Sequence, residues 1–187
     1  RVSFSFHCES RAVRGSLVAY GGKGIIFLEG SDPNDEIRFT IAHEIAHFLI
    51  DYWVPRQKAI SKFGNDIASV FDGQRSPTVN ERLYAILGGA NLGVFVDVME
   101  RGPASEGEIW RVENQADKIA LALLAPPDDV LKISDLSASR FTERLNSITK
   151  TLIVNFGLPK SISELYGTEL LNAVGKGRSW VEAIRHT

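Results

Sequence analysis

His43-Glu44-Ile45-Ala46-His47, set inside Arg38-Phe39-Thr40-Ile41-Ala42 and Phe48-Leu49, decides how this 187-residue chain is read. Two histidines four apart on a helix lie on one face, about 6 Å apart along the axis, so both imidazoles can converge on one Zn²⁺. Glu44 beside them is of the type that accepts a proton from zinc-bound water. A helix is expected here because Ser31-Asp32-Pro33 supplies a capping side chain and a Pro at the start, followed by Asp35 and Glu36 in the first turn. Apolar residues at Ile37, Ile41, Ile45, Phe48 and Leu49 carry it to about Asp51, and it is expected to stop before Pro55.

Upstream, Ser16–Tyr20 and Ile25–Glu29 are rich in β-formers and flank Gly21-Gly22-Lys23-Gly24, which predicts a hairpin before the helix. Downstream, residues 57–72 read as a second amphipathic helix, and Thr78 to Glu81 has the spacing of a capping box for a short helix to Leu87. Val94–Met99 reads as a strand or a buried helical turn, which periodicity does not separate. Residues 101–107 read as a loop. Ile109–Ala125 is expected to be a strong helix ended by Pro126-Pro127. Arg140–Asn155 forms another, and capping boxes at Ser161–Glu164 and Ser179–Glu182 open two more.

A catalytic zinc needs a third protein ligand and one open position. The zinc-peptidase subclass with a third His six residues on is excluded, because Trp53 stands there. His7 and His186 lie near the chain ends without supporting context. Glu113 is the better candidate: it sits with Asp117 at the edge of the stripe Ala116, Ile119, Ala120 and Leu123, where a charged pair is costly without a partner. A metal on Glu113, and an imidazole oriented by Asp117, would satisfy both. Asp51, one turn beyond His47, is a weaker rival ligand.

Composition bounds the rest. Lys and Arg number 21 against 23 Asp and Glu, which speaks against a polybasic nucleic-acid or membrane binder. Residues 138–187 hold seven basic and four acidic side chains, too mild an excess for a duplex-binding footprint. Cys8 stands alone, so no disulfide framework or Cys-rich zinc module is built. No apolar run approaches the ~20 residues of a membrane span. Arg1–Phe6 lacks a signal-peptide core and an initiator Met, so the expectation is a soluble, cytoplasmic, trimmed chain.

The chain resembles the ImmA/IrrE-type zinc metallopeptidases. One block is Gly24–Leu28 leading into Arg38–Leu49. A second is Glu113-x-x-Ala116-Asp117-x-x-Ala120-x-x-Leu123-Leu124-Ala125-Pro126, and a less specific third is Phe156-Gly157-Leu158-Pro159 before a capped helix. The resemblance implies His43, His47 and Glu113 as ligands of Zn²⁺, Glu44 as general base and Asp117 as partner of a ligating His, His43 by preference. It also implies a gluzincin-like α+β fold: mainly helical, with a small antiparallel sheet next to the motif helix and a helical C-terminal part. The corresponding division is a metallopeptidase domain over 1–130, with an insert at roughly 55–105, and a helical region over 131–187 with a turn-helix pair that resembles a helix-turn-helix. Two departures stand out. Ala46 replaces a common Gly, and Asp51 takes a position where many members carry His.

The expected function is a zinc-dependent endopeptidase acting on a protein or peptide, a DNA-binding repressor for preference, by Glu44-assisted attack of zinc-bound water. The alternative is a non-catalytic regulatory module, with a structural or vestigial metal site, that binds a transcription regulator or DNA. Tyr20, Tyr52, Tyr84 and Tyr166 are unranked candidates for a donor to the oxyanion.

Overall fold

Gly21 and Gly22 both adopt positive φ (60° and 75°), the conformation a two-residue hairpin turn demands and side chains resist. In the computed structural model, which describes residues 13–88, 90, 92–100 and 108–177 (side chains of 100 and 108–114 excepted), this turn joins β1 (Val13–Tyr20) to β2 (Lys23–Leu28). Lys23 and Gly24, read from sequence as part of the turn, belong to the strand, with Tyr20 opposite Lys23. The chain is mixed α+β, and its contacts divide it into two compact units: Arg1–Gly30 with His47–Trp110, and Ser31–Ala46 with Arg111–Thr187. The units interleave along the sequence, whereas the sequence reading divides the chain once, near residue 130.

In the first unit β3 (Phe95–Glu100) completes an antiparallel sheet of order β2-β1-β3. Val94–Met99 is therefore strand rather than helical turn. Its pleat explains the choice, because Phe95 is buried while Val96 and Val98 are exposed. Register puts Ile26, Leu17 and Asp97 in one row across the sheet, and Gly24, Ala19 and Phe95 in the next. Leu17, Ala19, Phe95 and Tyr52 form a core joined by Ile26 and Phe48. The opposite face carries Ile25, Phe27, Val96 and Val98, all exposed.

The motif helix departs from expectation at its end. α1 (Asn34–His47) passes without a break into a π-helix (Phe48–Trp53) and then α2 (Val54–Phe63). Pro55 does not stop it. The Val54 N–H donates to Leu49 O, five residues back, and Pro55 falls in the first turn of the new α-helical stretch, where a missing N–H costs least. The second predicted helix, 57–72, is broken at Gly64 (φ 84°). A 3₁₀ turn (Asn65–Ile67) and α3 (Ala68–Phe71) follow. The stretch read as an insert is thus packed structure: Ala59, Ile67, Val70 and Phe71 make a second core, with Tyr84 of α4 (Val79–Gly88) against it.

The predicted capping box of α4 forms. The Thr78 N–H donates to Glu81 Oε2 at 2.7 Å, and the Arg75 guanidinium donates to both Glu81 oxygens at 2.9 and 2.6 Å. Hydrogen bonds from Arg75, and then from the Thr78 N–H, pull the Glu81 carboxyl down from 4.5 to about 2. A depressed carboxyl supports the fold above its unfolded pKa and loses that support as pH falls toward its folded one. Urea midpoints are therefore expected to drop between pH 4.5 and about 2, and to drop less in Glu81→Gln. Equal slopes for the two proteins would remove Glu81 as a cause.

In the second unit α5 (Glu108–Leu124), α6 (Pro127–Ile133), α7 (Phe141–Phe156) and α8 (Lys160–Ala173) accompany α1. Gly157 ends α7 in the left-handed conformation, and Arg38 Nη1 of α1 donates to Phe156 O at 2.9 Å, satisfying a terminal carbonyl. Tyr166 donates to Ala125 O at 3.0 Å, and burial pushes its hydroxyl up to about 12. The predicted Ser161–Glu164 box does not form. α8 starts a residue earlier, behind Pro159, without a side-chain cap. The Ser179–Glu182 signal and the 101–107 loop lie outside the described residues, and no described helix is long and apolar enough to cross a membrane.

Candidate metal centre

The face of α1 that is buried is the motif face, not the stripe of Ile37, Ile41 and Ile45. His43, Glu44 and His47 are at most 1% exposed and Phe39, Ala42 and Ala46 are buried beside them, while Ile45 is 39% exposed. Burying polar side chains in preference to an isoleucine is costly unless their hydrogen-bonding capacity is met.

Both imidazoles use the same nitrogen to meet it. His43 Nδ1 lies 2.8 Å from Asp117 Oδ1, and His47 Nδ1 lies 2.8 Å from Asp51 Oδ2. A carboxylate accepts only, so each Nδ1 carries a proton, and in the neutral ring this leaves Nε2 as the lone-pair nitrogen, the form that ligates a metal. Asp51, the sequence's rival ligand, thus occupies the place of an orienting partner. α5 brings Asp117 to His43. Glu113 is one turn earlier on the same helix, and its side chain lies outside the described residues.

A carboxylate that sequence reasoning passed over also faces His47. Asp97 Oδ2 is 3.8 Å from His47 Nε2. Two ligands at zinc distances in a tetrahedron are about 3.4 Å apart, close to that separation. Two imidazole nitrogens and carboxylate oxygen suit a borderline cation such as Zn²⁺. The residues present therefore fit the metal that the spacing suggests. One signal in the sequence pointed to Asp97: alternation along Val94–Met99 places this single acid on the side of Phe95 and Met99, the side that is covered.

Three of the four tyrosines have other employment. The Tyr52 hydroxyl accepts the Gly22 N–H at 2.8 Å, pinning the hairpin turn to the π-helix. Tyr84 packs edge-on against Phe63, with Lys62 Nζ 4.7 Å from its ring centroid, and Tyr166 holds Ala125 as above. Tyr20 is exposed at the end of β1. His7 and His186 are outside the described residues. Compared with protein-family models, curated proteins and solved structures, the chain finds no match.

Proposed function

We propose that the chain is a zinc-dependent endopeptidase of zincin-like fold that cuts a regulatory, repressor-type protein in the cytoplasm. The observation that carries this reading is the pair of buried imidazoles, four apart on α1 and each held through Nδ1 by a carboxylate, with buried Glu44 between them. His43, His47 and Glu113 are the proposed ligands, with Asp117 and Asp51 holding the two rings in position. Bound zinc would supply Lewis-acid polarisation of the scissile carbonyl and a water acidic near neutral pH. Glu44 takes the proton of the attacking water and returns it to the leaving amine. An extended substrate segment is held along the outer edge of β2, which is one margin of the sheet. The exposed side of α8 carries Glu164, Leu165 and Glu169 beside Lys160, which favours a protein partner over duplex DNA.

Elemental analysis of protein purified without added metal tests the reading. About one zinc per chain is expected in the wild type, weakened or lost in Glu113→Ala, and hydrolysis of candidate repressors should then be chelator-sensitive. A wild type that takes up no zinc even on reconstitution would overturn the enzyme and leave a binding module. Zinc binding that Glu113→Ala leaves unchanged would remove Glu113 from the ligand set.

A further inference from the structure

We propose that the outward face of the sheet is a surface through which two copies of this chain pair; the proposal does not depend on the metal. An antiparallel sheet with one face on a core ordinarily turns polar side chains outward. Here the outward positions form two cross-strand rows, Phe27–Ser16–Val98 and Ile25–Val18–Val96. Ile25 is 60% exposed, Phe27 and Val96 57% each, and Val98 45%. Ser16 is the polar member of these rows, and its hydroxyl is already spent as a donor to Asp97 O at 2.8 Å. With Tyr20 exposed at the end of β1, the patch offers roughly 500–600 Å² of mostly apolar surface, the upper end of what a monomer leaves in water.

A second copy is the occupant that area and charge fit. A stable interface takes about 800 Å² from each partner, with an apolar centre and a polar rim. The two rows supply the centre, and β2 itself carries the rim. Lys23 and Glu29 share the outward side of Ile25 and Phe27, one at each end of them, and both are exposed. The Glu29 N–H donates to Arg14 O at 3.0 Å, so the ladder runs on to that residue. A two-fold axis between two stacked sheets, at right angles to their strands, sets β2 on β2 in opposite directions. Centred on the row of Ile26 and Leu17, it brings Lys23 of each copy toward Glu29 of the other, and Ile25 toward Phe27. At the ~10 Å spacing of packed sheets both charged side chains reach across. Self-pairing demands such a pattern, because each contact is made twice with the roles exchanged. A lipid surface would call instead for an excess of basic residues at the rim, and Lys23 is offset by Glu29.

Sedimentation equilibrium of the full chain, with circular dichroism as the check on folding, tests this. A wild-type dimer with a micromolar or tighter dissociation constant is expected. Phe27→Lys should raise that constant by at least ~30-fold, as removal of a central apolar anchor does. Lys23→Glu alone should raise it by about 10-fold, because it sets like charges opposite each other twice. Lys23→Glu combined with Glu29→Lys should bring it back near the wild-type value, a rescue that a general effect on folding or solubility would not produce. A wild type that stays monomeric at ~100 μM would overturn the proposal and leave the face to a different protein or to a lipid surface. A dimer that none of these variants weakens would overturn it as well, by placing the contact elsewhere on the chain. A dimer broken by Phe27→Lys but indifferent to both charge exchanges would overturn the pairing of Lys23 with Glu29.

Discussion

Glu44→Gln is expected to bind zinc as the wild type does and to lose peptide hydrolysis by about 10²–10⁴-fold, the usual contribution of a positioned general base. The substitution keeps the size and shape of a side chain that is fully buried, so the helix and both imidazoles stay where they are. What it removes is the ability to accept a proton, since a glutamine amide is not basic in water. His43→Ala should behave differently, losing metal and activity together, because it deletes a ring already oriented by Asp117. The contrast between the two variants separates a base from a ligand. Paired metal analysis and peptidase assays on equal loaded protein measure it. Full activity in the glutamine variant would refute the assigned role and point to another proton acceptor.

Asp72→Ala is expected to destabilise the fold by about 3–5 kcal/mol, the cost of leaving one half of a buried ion pair unmatched. Arg56 is 6% exposed and donates to both oxygens of Asp72, at 2.8 and 3.1 Å. Its guanidinium also lies 6.0 Å from the Tyr52 ring centroid and 5.8 Å from that of Phe71. Without Asp72 the cation remains in this aromatic setting with neither water nor counter-charge. Replacing both partners, as in Arg56→Met with Asp72→Leu, should recover most of the loss, since an apolar pair of similar volume has no charge to desolvate. Urea denaturation of the single and double variants decides the matter. A single variant within about 1 kcal/mol of wild type would mean that the pair behaves like a surface one.

How much of this was legible beforehand depended on distance along the chain. The hairpin, the α4 cap and the His43–His47 spacing are local patterns, and each could be read from a few consecutive residues. Asp117 at the border of an apolar stripe could be read because an acid there demands a partner. Asp97 could not be placed, because its position relative to His47 follows from the register of β3 on β1. The stretch containing it reads as an insert, although it supplies the third strand. The stripe of isoleucines on α1 misled because apolar periodicity assumes that water is the alternative to burial. Here the polar face is buried by its own carboxylate partners. The run through Pro55 was hidden for a related reason: the rule against proline supposes an α-helix on both sides, and a π-helix lies on one of them.

The π-helix also sets a phase. Along an α-helix each residue turns the side chain by about 100°, so any two positions are locked in relative angle by their spacing. A stretch bonded five apart carries the equivalent of one extra residue without leaving the helix, and it resets that angle. Between His47 and Tyr52 it separates two alignments that an unbroken α-helix would tie together: the direction in which His47 meets Asp51, and the direction in which Tyr52 meets Gly22. Deleting Ile50 would return the segment to the α-helical count and make those two alignments compete. The segment therefore acts as a coupling with adjustable angle, in which the imidazole can be aimed without moving the hairpin that Tyr52 holds.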